Sequence, residues 1–157
     1  MIVDVTATDP KRDWSYLSEG GATIVFSYVG PSHPAYNGKV LRLRKKLRQN
    51  SLEHEHLTLR SGSPDEADDP TIAFQEIVTR HLIPKANLPM LQTARVSLQW
   101  LKELEDVTEA RRSIKRAAKD CIDVYKGKGV LATDLVKGNE WAVEIKVISS
   151  LCCLCYH

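Results

Sequence analysis

The sequence predicts an α+β fold: an antiparallel sheet with helices on one side. Three observations predict it. Two β-like runs flank a paired glycine in WSYLSEGGATIVFSYVG, a third run follows in GKVLRLRKK, and the main helical segments come after residue 69.

Residues 13–17 and 23–29 read as strands, because Ile24, Phe26 and Tyr28 alternate with Val25 and Ser27 in a β-branched and aromatic stretch. Gly20 and Gly21 make the turn between them, glycine being the residue that reaches positive φ without steric cost. The turn-rich GPSHPAYNG at 30–38 delivers a third strand over 39–44, with Val40, Leu41 and Leu43 as its apolar side chains. Residues 46–69 are polar and read as a flexible loop, with some helical character around 52–59.

Asp69 and Pro70 then signal a helix start. The aspartate caps orphan amides and the proline suits the first helical position. Ile72, Phe74, Ile77 and Val78 give that helix an apolar face, and Pro84 stops it. A second helical pattern covers 96–104, with Leu98, Leu101 and Leu104 on one side. The basic run at 110–120 extends as a third helix or an ordered basic loop. GVLATDLV and EWAVEIKVI flank Lys137, Gly138 and Asn139, which predicts a second β-hairpin. There is no internal repeat.

A length of 157 residues suits one domain with a core, and 43% hydrophobic residues with a net charge of +2 describe an ordinary globular chain. So small a net charge argues against a general nucleic-acid or membrane-surface binder. Charge is unevenly spread: residues 39–48 hold six basic side chains, and 63–69 hold four acidic ones. No apolar run approaches the roughly 18 residues of a membrane helix, and no secretory leader is read at the N-terminus. The four cysteines, at 121, 152, 153 and 155, form no disulfide framework, so a reducing compartment, nucleus or cytoplasm, is expected.

Chemistry concentrates at the glycine turn. Amides in a turn without side chains can approach phosphate oxygens, and an arginine on a neighbouring strand offers a planar fork for them. Residues 20–23 and Arg42 are such a pair, although a plain surface hairpin beside a solvated basic strand accounts for the same residues. Arg111, Arg112, Lys115, Arg116 and Lys119 recur at helical spacing and form either a polyanion surface or a solvated face. Glu144 and Lys146 share one face of the last strand. Glu53, His54, Glu55 and His56 lack a second cluster, and Cys152, Cys153, Cys155 and His157 are too tightly spaced for zinc knuckles. No metal site is expected from either group.

Taken in order, DWSYLSEGGATIVFSYVG, NGKVLRLRK and LATDL…VEIK resemble the N-terminal lobe of the inositol-pentakisphosphate 2-kinases in their fungal form, over residues 13–146. The resemblance implies an enzyme that uses ATP and Mg²⁺ to phosphorylate the 2-hydroxyl of inositol pentakisphosphate, giving inositol hexakisphosphate, or phytate. It implies that Gly20, Gly21, Ala22 and Thr23 cover the ATP phosphates and that Arg42 replaces the lysine of protein kinases. By the same resemblance Asp134, Glu144, Ile145 and Lys146 line the nucleotide site. The basic run resembles a family stretch, and Arg111, Arg112 and Lys115 are the candidates for substrate binding. The expected partners are ATP and inositol pentakisphosphate, with neither nucleic acid nor membrane, on a monomer.

The chain departs from the family pattern Glu-x-Lys-Pro-Lys, having Val147 and Ile148 in place of its proline and second lysine. The expected organisation is therefore an N-terminal kinase lobe at 1–146 and an aberrant cysteine-rich tail at 147–157. The C-terminal lobe, with the catalytic aspartate and the metal ligands, is expected to be missing, so no catalytic residue is assigned and the chain is expected to be inactive alone. The alternative is a non-catalytic module that binds polyanions or inositol phosphates.

Overall fold

A computed structural model describes residues 2–48 and 66–137. The expected second arm of the C-terminal hairpin, with Glu144, Ile145 and Lys146, lies outside the described residues, as do the helical character at 52–59 and the cysteine-rich tail.

Seven strands form one sheet: β1 (Ile2–Asp4), β2 (Trp14–Glu19), β3 (Thr23–Tyr28), β4 (Lys39–Leu47), β5 (Leu91–Arg95), β6 (Asp120–Ile122) and β7 (Lys128–Thr133). Their order is β1-β5-β7-β4-β3-β2, with β6 paired to the far end of β4. Every pairing is antiparallel except β1 with β5. The three expected strands are therefore present, and β4 is longer than the 39–44 expected, taking Lys46 and Leu47 out of the expected loop. β1, β5 and β6 were not expected.

The helix that opens at Asp69 starts as the sequence indicates. The Asp69 carboxylate accepts from the Thr71 amide at 2.9 Å and Pro70 occupies the first turn of α1 (Pro70–Phe74). A π-helical stretch, Gln75–Thr79, interrupts it before α2 (Arg80–Leu82). Ile83 then turns extended ahead of Pro84, as the proline ring requires. The apolar face of this helix is not core. Phe74, Ile77 and Leu82 are all exposed.

The core forms instead beneath α3 (Leu98–Glu109), which is capped by Ser97 and runs beyond the expected end at residue 104. Its Trp100, Leu101 and Leu104 pack on Ile24, Phe26, Leu41, Leu43 and Leu131 from the sheet. Each such aliphatic side chain contributes about 1.5–3 kcal/mol by leaving water. The ends of the core are closed by aromatic rings. Trp14 meets Tyr28, Tyr36 and Trp100 edge-on at 5.2, 6.0 and 6.2 Å, and the indole N–H groups of Trp14 and Trp100 both donate to Thr8. The basic run forms a shorter helix than expected, α4 (Ile114–Lys119), reached from α3 by an elbow at residues 110–113.

Alternation fixes what each face of the sheet carries. Ile24, Phe26, Leu41 and Leu43 face α3. The register places Thr23 opposite Arg44, Val25 opposite Arg42 and Ser27 opposite Val40, and Val130 and Ala132 continue those rows. Arg42 therefore stands on the outer face, away from the core.

Candidate functional site

The β2 to β3 hairpin turns at the paired glycine, and its closing bond runs from the Gly20 amide to the Thr23 carbonyl, 2.9 Å. The Ala22 carbonyl accepts from the Lys45 amide at 3.0 Å, so β4 also holds the bend. The sequence argument for these glycines needs correcting. Neither adopts positive φ, and among the described residues only Gly38 does, at 66°. Packing does not demand them either, because a Cβ at Gly20 or Gly21 would meet nothing within 4 Å. The Gly20 amide closes the turn, and both glycines have open space where a side chain would stand.

Arg42 lies one strand beyond. Its cross-strand partner, Val25, is two residues past Thr23. From strand spacings this puts the Arg42 Cα roughly 8 Å from that of Thr23, within reach of an extended arginine side chain. Among the described residues the Arg42 side chain makes no hydrogen bond or ion pair, unlike that of its neighbour Arg44. The Arg44 guanidinium donates to both oxygens of Asp69 at 2.6 and 2.8 Å. Burial alone would raise the Asp69 carboxyl, but the bonds from Arg44 and Thr71 prevail and hold its pKa at about 2.

Asp134 follows β7 at the far end of the same face. Its amide donates to the Gly38 carbonyl at 2.9 Å, and its Oδ1 accepts from the Val136 and Lys137 amides at 2.9 and 3.0 Å. Ser27 Oγ lies 3.5 Å from Oδ2. The carboxylate thus anchors the chain where it leaves the sheet, and Oδ2 faces the row of Ser27 and Val40.

The three candidates for substrate binding separate. Arg111 and Lys115 are exposed, and Arg111 donates to Ser15 Oγ at 2.8 Å. Arg112 is enclosed, with its side chain 0% exposed. Its Nε–H donates to Glu19 Oε1, Nη1 donates to Glu109 and to the Asp120 carbonyl, and Nη2 donates to Glu19 Oε2 and Asp120 Oδ1. These acceptors take all five donors of the guanidinium. Lys45, also buried, bonds Glu19 at 3.2 Å and Asp120 at 3.1 Å. Burial pushes both carboxyls up, yet the bonds from Arg112 and Lys45 outweigh it and leave each below the ordinary carboxylate range. Sequence reasoning gave Glu19, Lys45 and Asp120 no role as ion-pair partners. Their only signal was a carboxylate next to the glycine pair and another at the end of the basic run.

Among the described residues no three His, Cys, Asp or Glu side chains gather where they could hold a metal ion, and no helix is long and apolar enough to cross a membrane.

The paired-glycine turn and Arg42 thus stand one strand apart on a mostly antiparallel sheet, with α3 packed against its core face. Comparison with known proteins identifies the class. The chain belongs to the inositol-pentakisphosphate 2-kinase family, whose model matches residues 16–147. A relative from Cryptococcus neoformans named inositol-pentakisphosphate 2-kinase is 32% identical over 149 residues, covering 90% of this chain and 33% of its own length. One from rice, Oryza sativa, with the same enzyme name, is 24% identical over 134 residues, covering 85% of this chain and 30% of its own. The chain spans about a third of the length of the curated relatives it matches.

Proposed function

We propose that this chain supplies the nucleotide-phosphate half of an enzyme that uses ATP to phosphorylate the 2-hydroxyl of inositol pentakisphosphate, giving inositol hexakisphosphate. The observation that carries the proposal is Arg42, a cation without a described partner, set beside a turn whose glycines answer to neither conformation nor packing. Glycine in such a place costs chain entropy for no internal return. Close approach of a phosphate to the turn formed by Gly20, Gly21, Ala22 and Thr23, where the Gly20 amide is already spent on the Thr23 carbonyl, supplies the missing reason. The Arg42 fork then neutralises the same triphosphate. Asp134, Glu144, Ile145 and Lys146 complete the nucleotide wall in this reading, and Arg111 and Lys115 remain as exposed cations for the substrate's phosphates.

ATP's phosphates fit the described residues. Among the described residues no group of carboxylates stands where it could hold a magnesium ion. The 157-residue chain alone is proposed to transfer no phosphate.

Titration with a fluorescent ATP analogue tests the site. Arg42→Ala should weaken binding at least tenfold, about 1.4 kcal/mol, and unchanged affinity would remove Arg42 from it. Incubating the chain with ATP and inositol pentakisphosphate should yield no hexakisphosphate, and steady turnover would refute inactivity. The exposed cations Arg111, Lys115 and Lys119 favour one other reading, a polyanion module without nucleotide preference. It predicts that inorganic polyphosphate competes with the analogue as well as ATP does.

A further inference from the structure

We propose that Arg112 is a positioning residue: through Glu19 it fixes the root of the glycine turn to the elbow between α3 and α4, and so sets where the turn's amides point. The consequence for nucleotide affinity rests on the functional reading above, whereas the mechanical claim does not.

The geometry carries the idea. Glu19 is the last residue of β2 and immediately precedes Gly20. Its side chain is 0% exposed and is gripped from two elements at once, by Arg112 from the elbow and by Lys45 from β4. A third hold acts on its main chain, where Arg116 Nη1 donates to the Glu19 carbonyl at 2.6 Å. On the far side of the bend, the Lys45 amide takes the Ala22 carbonyl. Beyond the β2–β3 ladder and the Tyr16 hydroxyl, the holds on the turn's flanks come from β4, the elbow and α4.

The chemistry explains why ions serve here. A guanidinium is planar, and its donors are fixed in direction. With Nε and Nη2 both on the Glu19 carboxylate, and Nη1 and Nη2 on the carbonyl and carboxylate of Asp120, the Glu19 side chain has one orientation relative to the start of β6. At its buried centre two cations, Arg112 and Lys45, face two anions, Glu19 and Asp120, with Glu109 and Arg116 at the more exposed edge. An apolar filling of the same space would do as well or better for stability, but would not define a direction. The two glycines add no side-chain packing of their own, so the turn's direction depends on its backbone bonds to Thr23 and Lys45 and on the hold on Glu19. β2 has a register shift between Tyr16 and Ser18, which decouples the turn from the regular ladder behind it.

Amide hydrogen exchange on the ligand-free 157-residue chain tests the mechanical claim. The reporters are the Gly20 amide, bonded to Thr23, and the Lys45 amide, bonded to Ala22. The Val29 and Asp134 amides, bonded to Asp13 and Gly38 at the other end of the sheet, are the controls. Glu19→Gln keeps the shape of the side chain and should speed exchange at Gly20 and Lys45 at least tenfold relative to the controls. Equal acceleration at all four would mean that the network merely stabilises the fold, and the proposal fails. Arg116→Gln cuts only the exposed hold and covers the case in which Glu19→Gln does not fold. It should speed Gly20 about threefold with the controls unmoved, and no selective change would also overturn the proposal. The fluorescent ATP analogue provides the second arm, with several-fold weaker binding expected for Glu19→Gln. If the unaltered chain binds no analogue, the nucleotide reading falls while the exchange result still decides the role of Arg112.

Discussion

Arg42 and Arg112 lie on opposite faces of one sheet, on either side of the same glycine turn, and their surroundings are opposite. On the core face, Arg112 has no exposed side-chain surface and gives all five donors to protein acceptors. On the outer face, the Arg42 side chain has no hydrogen-bond or ion-pair partner among the described residues. A charge buried with satisfied donors defines geometry, and a charge without a partner is available to something outside the chain. The turn between them has both properties: its root at Glu19 is locked, and its tip at Gly20 and Gly21 has open space where side chains would stand. Rigid anchoring on one side and openness on the other is what an anion site needs.

The largest expected effect breaks the buried side of this contrast. Arg112→Met removes the cation that faces Glu19 and Asp120, leaving Lys45 alone against two buried carboxylates. The loss should be about 3–5 kcal/mol, measured by denaturant unfolding. Arg42→Met should change stability by less than about 0.5 kcal/mol. Comparable losses for the two variants would show that Arg42 also has a structural partner and would end the contrast.

Two glycines sharpen the comparison at smaller cost. Gly129 lies in β7 against β4, where an added Cβ would stand 2.8 Å from Leu43 Cδ2 and 3.1 Å from the Arg42 carbonyl. Gly129→Ala should therefore destabilise by about 1–3 kcal/mol through overpacking, read as a lower melting temperature. Gly20→Ala meets open space and should leave the melting temperature nearly unchanged. It should still weaken the ATP analogue, because the methyl group stands where a phosphate would approach. A Gly20→Ala variant with unaltered affinity would separate the turn from the nucleotide site.

The sequence made the outer face legible and concealed the inner one. The β2, β3 and β4 meander, the glycine turn and Arg42 follow from local alternation and turn chemistry, which act over a few residues. The Asp69 cap was equally local. Arg112 sits in RRSIKR, where five cations in ten residues read as a solvated face, and its acceptors Glu19 and Glu109 come from other elements. No periodicity reports a partner 93 residues away. β1 and β5 escaped for a related reason. IVD is too short and LQTAR too polar to read as strands alone, and they form because their partners exist. The apolar side of α1 and the turns after it misled in the other direction, since amphipathic spacing predicts burial but not against what. The glycine pair was located correctly for a wrong reason, positive φ, where openness is the property that the structure shows.

The smallest effect concerns the ion pair next to Arg42 on the outer face. Asp69, with a folded pKa of about 2 against an ordinary 3.8, is held down by Arg44 and the Thr71 cap. Because the folded value is depressed, its contribution is fully present above about pH 4 and is lost as pH falls toward 2, where the unfolded chain binds the extra proton. The shift sets a ceiling of roughly 2 kcal/mol. Arg44 is about a third exposed, so solvent screening brings the expectation to about 1 kcal/mol. Asp69→Asn isolates the charge, since asparagine caps a helix about as well as aspartate. Denaturant midpoints at pH 6 should show the variant less stable by about that amount, and the gap should close by pH 2. A gap that persisted at pH 2 would assign the loss to the cap rather than to Arg44. Arg42 would then stand beside a second arginine whose charge contributes nothing to the fold.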